Sequence, residues 1–297
     1  MSRLSSAIQG AKKRAKRAAR SWLGTKRHPL GHPVLARSFE EQIYSASVRA
    51  GDVVYDIGAN VGDVSEFMAR LVTPRGLVVA FEPVWSTYVE LCRTVQQSEY
   101  LLGATVVTLP CGLSETDGIA KIAMPSGASG LASLRPISAW SELRRQRPVE
   151  EFTCEFRRLD SLREEKNLPE PQFMKIDVEG AELLVLQGAR HLVSTAQPLM
   201  LIEVFAPWEA SFGYTPWEVL SMLRGWGYQF FFACPEGLVE YEPTAEKPFP
   251  ESFKDGYNVV AWVPGKHADR LSTLRKLAAG SPGVLAMGKP PVPNVIV

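Results

Sequence analysis

The chain has 297 residues, 45% of them hydrophobic and 22% charged, which is the makeup of one large globular domain with appendages and excludes a disordered polypeptide or a disulfide-stapled mini-protein. Its formal net charge of +1 is a cancellation, because residues 1–39 carry ten Lys or Arg and no acid, leaving 23 basic against 32 acidic residues in the remainder. A basic arm and an acidic body answer to different surfaces, so near-neutrality says nothing about partners.

Residues 4–23 read as a basic amphipathic helix, with Leu4, Ile8, Ala11, Ala15, Ala19 and Trp22 recurring at steps of three and four. Through residues 3–27 such an arm could meet an anionic membrane surface or a nucleic acid, each cation near an anionic surface contributing about 1 kcal/mol. A solubilising, partly disordered arm explains the same composition. No run of about 18 apolar residues occurs, which excludes a membrane-spanning helix. The basic start has no apolar segment behind it and does not read as a secretory signal. Cys92, Cys111, Cys154 and Cys234 are scattered without metal-ligand spacing, so reduced thiols in a cytoplasmic setting are expected, peripheral at a membrane surface if the arm binds one.

Residues 28–37 look like a linker, and the body begins near 39. Val53 to Gly58 is a buried strand ending in a Gly turn, followed by a helix over about 63–71. Leu77–Phe81 is the next strand, a helix runs over about 85–97, and Ala104–Leu109 is a third strand. Phe173–Asp177 and Leu199–Glu203 are two more, separated by a helical segment near 181–189. A helix over 215–226 precedes the runs Tyr228–Ala233 and Asn258–Val263, which lack a helix between them and predict an antiparallel edge. Strands apolar on both faces and alternating with helices imply an α/β, Rossmann-like, doubly wound, mostly parallel sheet. The organisation expected is a basic arm and linker over 1–38, a body over 39–264, and a tail over 265–297 that lacks a periodic apolar pattern from about 278. Within the body, residues 115–162 interrupt the rhythm with Pro125-Ser126-Gly127-Ala128-Ser129-Gly130, on the side where open α/β sheets bind ligands.

The sharpest local signal is Asp56-Ile57-Gly58-Ala59-Asn60-Val61-Gly62 between a strand and a helix. Glycines there let backbone approach a ligand, and the helix N-terminus offers free N–H groups. Glu82 ends the next strand, where a carboxylate can hydrogen-bond ribose hydroxyls. A dinucleotide fold would carry Gly-x-Gly-x-x-Gly, but here Asn60 stands at the second Gly and Asp56 lies inside the turn. An acid there repels pyrophosphate and can accept from the amino group of a zwitterionic amino acid, which favours S-adenosylmethionine over NAD. The second signal is Lys175-Ile176-Asp177-Val178-Glu179-Gly180-Ala181-Glu182 at the end of the fourth strand, with Glu203 ending the fifth. Charges at the end of an apolar strand are expensive without partners, so they are either used or paired. An ion pair of Lys175 with a carboxylate, and Glu182 as a first-turn acid, are the structural alternatives.

These motifs in this order, with Phe81-Glu82-Pro83, Cys111-Gly112-Leu113-Ser114, Leu186-Gln187-Gly188-Ala189 and Leu201-Ile202-Glu203-Val204-Phe205, resemble the FkbM-type S-adenosylmethionine-dependent methyltransferases over about residues 51–205. The resemblance implies a seven-stranded class I methyltransferase fold with its last strand antiparallel. It also implies methyl transfer to a hydroxyl of a small molecule, a sugar or glycan, or a natural-product intermediate. Carried over by position, Asp56, Gly58, Asn60 and Gly62 line the methionine end of the cofactor and Glu82 binds its ribose. Gly112, Leu113 and Ser114 flank the adenine, while Asp177 and Glu179 face the transferred methyl. Apart from the resemblance, Lys175 is expected to tune Asp177 by lowering its pKa, as an adjacent cation does. No metal is expected, although oxygens of Asp177, Glu179 and Glu203 would suit Mg²⁺. The rival readings are a nucleic-acid ribose or base methyltransferase guided by the arm, and a non-catalytic adaptor that keeps the cofactor fold. Base chemistry is disfavoured by the absence of an Asn/Asp-Pro-Pro-aromatic turn after the fourth strand. Ser129, Ser133, Arg135, Trp140, Arg144 and Arg145 are expected to shape the acceptor pocket; Trp208, Tyr214 and Trp217 are expected to pack helix against sheet.

Overall fold

The computed structural model describes residues 25–27, 33–35, 38–102, 105–135, 148–234, 237–241 and 257–279. The basic helix read over 4–23, the segment holding Trp140, Arg144 and Arg145, and the end of the chain from 280 lie outside the described residues. Within the stretch read as a linker, Pro33–Leu35 (β2) pairs antiparallel with Thr25–Arg27 (β1).

The body opens with helix α1, Phe39–Ser47. Its start is written in the sequence as a capping box: the Ser38 hydroxyl accepts from the Glu41 N–H at 3.1 Å and the Glu41 carboxylate accepts from the Ser38 N–H at 3.3 Å, an arrangement worth about 1 kcal/mol. Strands β3 (Val53–Ile57), β4 (Leu77–Phe81) and β5 (Thr105–Leu109) alternate with helices α2 (Asp63–Val72) and α3 (Trp85–Leu102). A short strand β6 (Gly112–Leu113), then β7 (Gly118–Pro125) and β8 (Val149–Arg157), precede helix α4 (Leu159–Lys166). There follow β9 (Phe173–Ile176), α5 (Glu182–Gly188), α6 (Arg190–Ala196), β10 (Leu199–Val204), α7 (Ala206–Phe212), α8 (Pro216–Gly225), β11 (Gln229–Cys234), β12 (Gly237–Tyr241), β13 (Tyr257–Trp262) and α9 (Ala268–Ala279).

The main sheet has the order β12-β11-β13-β10-β9-β3-β4-β5. Strands β3, β4, β5, β9 and β10 run parallel, and β13 inserts antiparallel between β10 and β11. This is the Rossmann-like class I methyltransferase arrangement, with one strand more than the seven expected: β12 pairs with β11 at the edge. Period-two alternation splits the core between the two faces. Tyr55, Ile57, Met174, Ile176, Met200 and Ile202 meet α4, α5 and α8 on one face. Val54, Val78, Phe173, Leu199 and Leu201 meet α1, α2 and α9 on the other. Each such side chain, fully buried, contributes roughly 1.5–3 kcal/mol. Leu271 and Leu274 of α9 belong to the second cluster, so the segment from 265 that sequence assigned to a tail includes a helix packed on the sheet. Leu271 and Leu274, with Leu277 partly buried beside them, make a narrow stripe amid charged residues, too weak to be distinguished from an exposed charged segment.

Within the interruption over 115–162, β7 and β8 join β6 in a second, three-stranded sheet of order β6-β8-β7. It has its own small core, in which Val84 from the main domain packs on Ile122, Cys154 and Phe156. Among the described residues Cys92, Cys111 and Cys154 are free thiols, and burial pushes Cys111 up to about 12 and Cys154 up to about 11. No helix among the described residues is long and apolar enough to cross a membrane.

Candidate active site

Three βα turns converge at the carboxyl ends of β3, β4 and β9. In the first, Gly58 (φ 79°), Asn60 (φ 49°) and Gly62 (φ 93°) all take the left-handed conformation. Gly58 and Ala59 both donate their N–H to the Phe81 carbonyl, at 3.1 and 2.9 Å, which stitches this turn to the end of β4. Glu82 then joins the two turns, one carboxylate oxygen accepting from Asn60 N–H at 3.1 Å and the other from Val84 N–H at 2.8 Å. Burial pushes Glu82 up to about 7 in spite of those two bonds.

In the third turn, Lys175 sits beside Asp56 in the register of β9 with β3. Its buried ammonium lies 3.1 Å from Asp177, 3.5 Å from Asp56, and donates to the Gly58 carbonyl at 3.3 Å. Burial works against the ammonium, but Asp177 and Asp56 overcome it and hold Lys175 above the ordinary lysine value. Burial likewise raises Asp177, and the Lys175 charge with hydrogen bonds from Glu203 and Lys175 reverses that, keeping Asp177 below the usual carboxylate range. Glu203 is held well above its range by the Asp177 charge and by burial. Asp177, Glu179 and Glu203 can each bring one oxygen within 4.8 Å of the others.

A cavity of about 260 Å³ lies over these turns. Gly58, Asn60, Glu82, Lys175, Asp177 and Glu179 form its floor, and Ser129, Gly130, Ser133, Leu134, Ile122 and Phe156 form a roof contributed by the insertion. The Asn60 Oδ1 is buried there with no hydrogen-bond partner, a waiting acceptor for a ligand that brings a donor.

The Methyltransferase FkbM domain matches residues 56–230, more than half of the chain, from the end of β3 through the turns that build this cavity's floor. The chain belongs to the FkbM methyltransferase family. Methyltransferase sdnD of Sordaria araneosa is 31% identical over 172 residues, covering 50% of this chain and 65% of that protein. The hexuronic acid methyltransferase AglP of Haloferax volcanii is 28% identical over 173 residues, covering 58% of this chain and 61% of that protein. The chain thus spans less than two thirds of the length of either relative. The solved structure of methyltransferase FkbM from Methylobacillus flagellatus superposes with a TM-score of 0.43 at 15% identity, covering 74% of this chain and 50% of that one. The cofactor of the family is S-adenosylmethionine. The floor fits such a ligand: Asn60 offers an orphaned acceptor, Glu82 a carboxylate with lone pairs to spare for hydroxyls, and Gly58 a backbone with no side chain in the way.

The FkbM domain brings Gly58, Asn60, Glu82, Gly112, Leu113, Lys175, Asp177 and Glu179 to the cavity, and keeps Asp56, Gly62 and Ser114 off its wall. Asp56 points to the α2 face, fully buried, where it accepts from the Ser65 hydroxyl at 2.5 Å and pairs with Lys175. Gly62 serves packing, since a Cβ there would lie 2.8 Å from Leu91 of α3. Ser114 presses its backbone carbonyl against Gly188 and donates its hydroxyl to Glu115. Ser129 and Ser133 of the insertion reach the cavity, whereas Arg135 lies over the Phe212 ring, 5.2 Å from its centroid. The apolar walls Val84, Ile122, Leu134 and Phe156 carry no sequence signal for a ligand, because isolated apolar residues in turns and strands read as ordinary packing.

The turn bearing Asp177 and Glu179 is pinned from below. Glu182 accepts from the N–H of Val178 and of Gly180, both at 3.2 Å, and the Tyr214 hydroxyl donates to the Gly180 carbonyl. Glu182 is therefore the turn's own clamp, more than a first-turn acid, and burial pushes it up to about 7. Tyr214 is buried, as its expected packing role requires, but its hydroxyl does the holding. Beneath lies Glu209 of α7, fully buried, both of its carboxyl oxygens lacking a hydrogen-bond partner. Burial, with the Glu182 and Glu218 charges, pushes it up to about 9. A carboxyl raised in the folded state stabilises most below its unfolded value, and that contribution is lost as pH rises through the folded value. Glu209→Gln should therefore gain stability over the parent chain by roughly 3 to 4 kcal/mol between pH 5 and pH 8. Urea unfolding of both proteins at the two pH values measures it, and parallel pH dependences would refute the assignment.

Proposed function

We propose that this chain is an S-adenosylmethionine-dependent O-methyltransferase whose acceptor is a hydroxyl of a sugar, glycan or natural-product intermediate. The observation that carries the proposal is Asp177, ionised beside Lys175 at 3.1 Å, at the cavity floor, with its side chain 34% exposed. S-adenosylmethionine supplies an electrophilic methyl group. Gly58, Asn60 and Glu82 hold the cofactor, and Asp177 orients the acceptor hydroxyl and takes its proton. That proton leaves an oxygen growing more acidic as it forms its new bond, so a carboxylate held below the usual range is still basic enough. Help of this kind is worth about 10²- to 10⁴-fold. Lys175 fixes the direction of the Asp177 carboxylate and keeps it ionised, and the exposed edge of Asp177 returns the proton to water.

Charge supports a neutral acceptor atom. Asp177, Glu179 and Glu203 gather round the reacting end with Lys175 as their cation, which disfavours a carboxylate or phosphate oxygen as nucleophile. The relative named for a hexuronic acid supports a sugar-like acceptor. Incubating the chain with methyl-labelled S-adenosylmethionine and fractionated cell extract tests the reading. Label should enter a carbohydrate or natural-product fraction and stay out of protein and nucleic acid; label in nucleic acid would establish the rival reading.

A further inference from the structure

The catalytic turn is held from above as well as below, and the upper hold comes from the insertion. Ser133 is buried at 1% exposure, and its backbone pairs with Ala123 through bonds of 2.9 and 3.0 Å, which fixes it in the roof. Its hydroxyl donates to the Glu179 carbonyl at 2.8 Å, with a longer 3.3 Å approach to the Arg135 carbonyl, and accepts from the Arg135 N–H at 3.2 Å. Just beyond, the Arg135 guanidinium donates to the Ser211 carbonyl at 3.3 Å, and the Ser211 hydroxyl donates back to the Arg135 carbonyl at 3.2 Å. The same roof faces the cofactor turn across the cavity, where a Cβ added to Gly130 would lie 3.5 Å from the Asn60 side-chain amide nitrogen, an ordinary contact. One segment, residues 129–135, thus shares the cavity wall with the cofactor turn and is bonded both to the turn bearing Asp177 and Glu179 and to α7.

Glu179 (φ 53°) and Gly180 (φ 101°) are both left-handed, a conformation that a non-glycine residue adopts only when its surroundings impose it. Glu182 secures the N–H groups on either side of Glu179, and Tyr214 secures the Gly180 carbonyl. The Glu179 carbonyl is secured by Ser133. Losing that bond would remove one hold on the Glu179–Gly180 peptide, leaving the Gly180 N–H bond to Glu182, and so loosen the turn and the directions of the flanking side chains.

We propose that Ser133 is a positioning residue for methyl transfer: its hydroxyl locks the Glu179 peptide to the cofactor roof, so that the turn presenting Asp177 and Glu179 is set only when the roof is in place. This rests on the function proposed above, and its test separates the two. The full chain and its Ser133→Ala and Ser133→Thr variants are compared in transfer from methyl-labelled S-adenosylmethionine into the extract fraction that the unmodified chain labels. Binding of S-adenosylhomocysteine is measured by calorimetry, and amide hydrogen exchange is followed across residues 176–183. Ser133→Ala should lower kcat about tenfold or more, the scale on which slight misplacement of a reacting group is felt. It should change the S-adenosylhomocysteine Kd and the cofactor KM by less than about threefold. Exchange across 176–183 should quicken, and Ser133→Thr, which keeps the hydroxyl, should restore most of the rate. Unchanged exchange in Ser133→Ala overturns the proposal whether or not an acceptor is found. So does unchanged kcat, a loss of Kd in step with kcat, or a Thr variant no better than Ala. If the unmodified chain labels nothing, the functional reading fails, while the exchange data still decide whether Ser133 holds the turn.

Discussion

Asp177→Asn should lower turnover by about 10²- to 10⁴-fold while leaving the Kd for S-adenosylmethionine within a few-fold of the parent chain. The substitution keeps the shape of the side chain and one oxygen to accept from Lys175, which lies 3.1 Å away. It removes the ability to take a proton. It also removes the negative charge that, with Asp56, holds the Lys175 ammonium in place, so some loosening of that lysine will accompany the loss. The split between kcat and cofactor affinity is the informative part. Asp177 lines the cavity, but the proposed cofactor contacts lie on other strands, at Gly58 and Asn60 after β3 and Glu82 after β4. A variant that turns over like the parent chain would remove Asp177 from the mechanism, and one that loses cofactor binding to the same extent would make it part of the cofactor site instead.

Gly58→Ala should be equally severe for a different reason. At φ 79° an L-residue is strained, and a Cβ at this position would sit 1.9 Å from the Asp177 carbonyl oxygen, inside any permitted contact. The obstacle is backbone, and it cannot swing away as a flexible side chain would. The first and third βα turns must separate, which opens the floor of the cavity and displaces the Gly58 carbonyl from Lys175. The expected outcome is a loss of about 3 kcal/mol or more in stability and a cofactor Kd raised at least about a hundredfold. Thermal unfolding and calorimetric titration measure these. Gly118→Ala is the control, since nothing lies within 4 Å of its Cβ position and its φ is ordinary. Wild-type cofactor binding by Gly58→Ala would mean that the approach of the two turns is irrelevant to the site.

Much of the main sheet could be read from the sequence because its determinants are local. Leu77–Phe81 and the strands beginning at Val53, Phe173 and Leu199 are short apolar runs bounded by turn residues, and the structure places them as read. The antiparallel pairing of Tyr228–Ala233 with Asn258–Val263 followed from the missing helix between them, and β11 and β13 do pair so. Other features depend on partners distant in sequence. Strand β12 was missed because five residues beside a turn gain their meaning from the β11 edge they complete. Asp56 looked like a ligand-facing acid since it stands inside the glycine turn, yet strand alternation aims it at α2, where Ser65 and Lys175 await it. Ser133 read as a pocket residue, and it does line the cavity, but its bond to Glu179 links positions 46 apart and leaves no local pattern. Glu182 and Tyr214 are legible as a first-turn acid and a packing aromatic, and their hold on the turn appears only once α5 and the start of α8 are brought beneath it.

The roof also gives the insertion a meaning that its composition lacked. Pro125 to Ala128 form the turn that reverses β7, and the Ser126 N–H donates to the Pro148 carbonyl at 2.9 Å, so the segment leaves and re-enters its sheet at one point. Between those ends the described residues Ser129 and Gly130 lie at the cavity that the cofactor turn floors.

The measurement that bears most directly on the central claim is the location of the transferred methyl group in the labelled product, by mass spectrometry with fragmentation. A neutral hydroxyl acceptor deprotonated by Asp177 predicts a methyl ether on a sugar or natural-product oxygen. A methyl ester, or a methyl group on nitrogen or carbon, would contradict it.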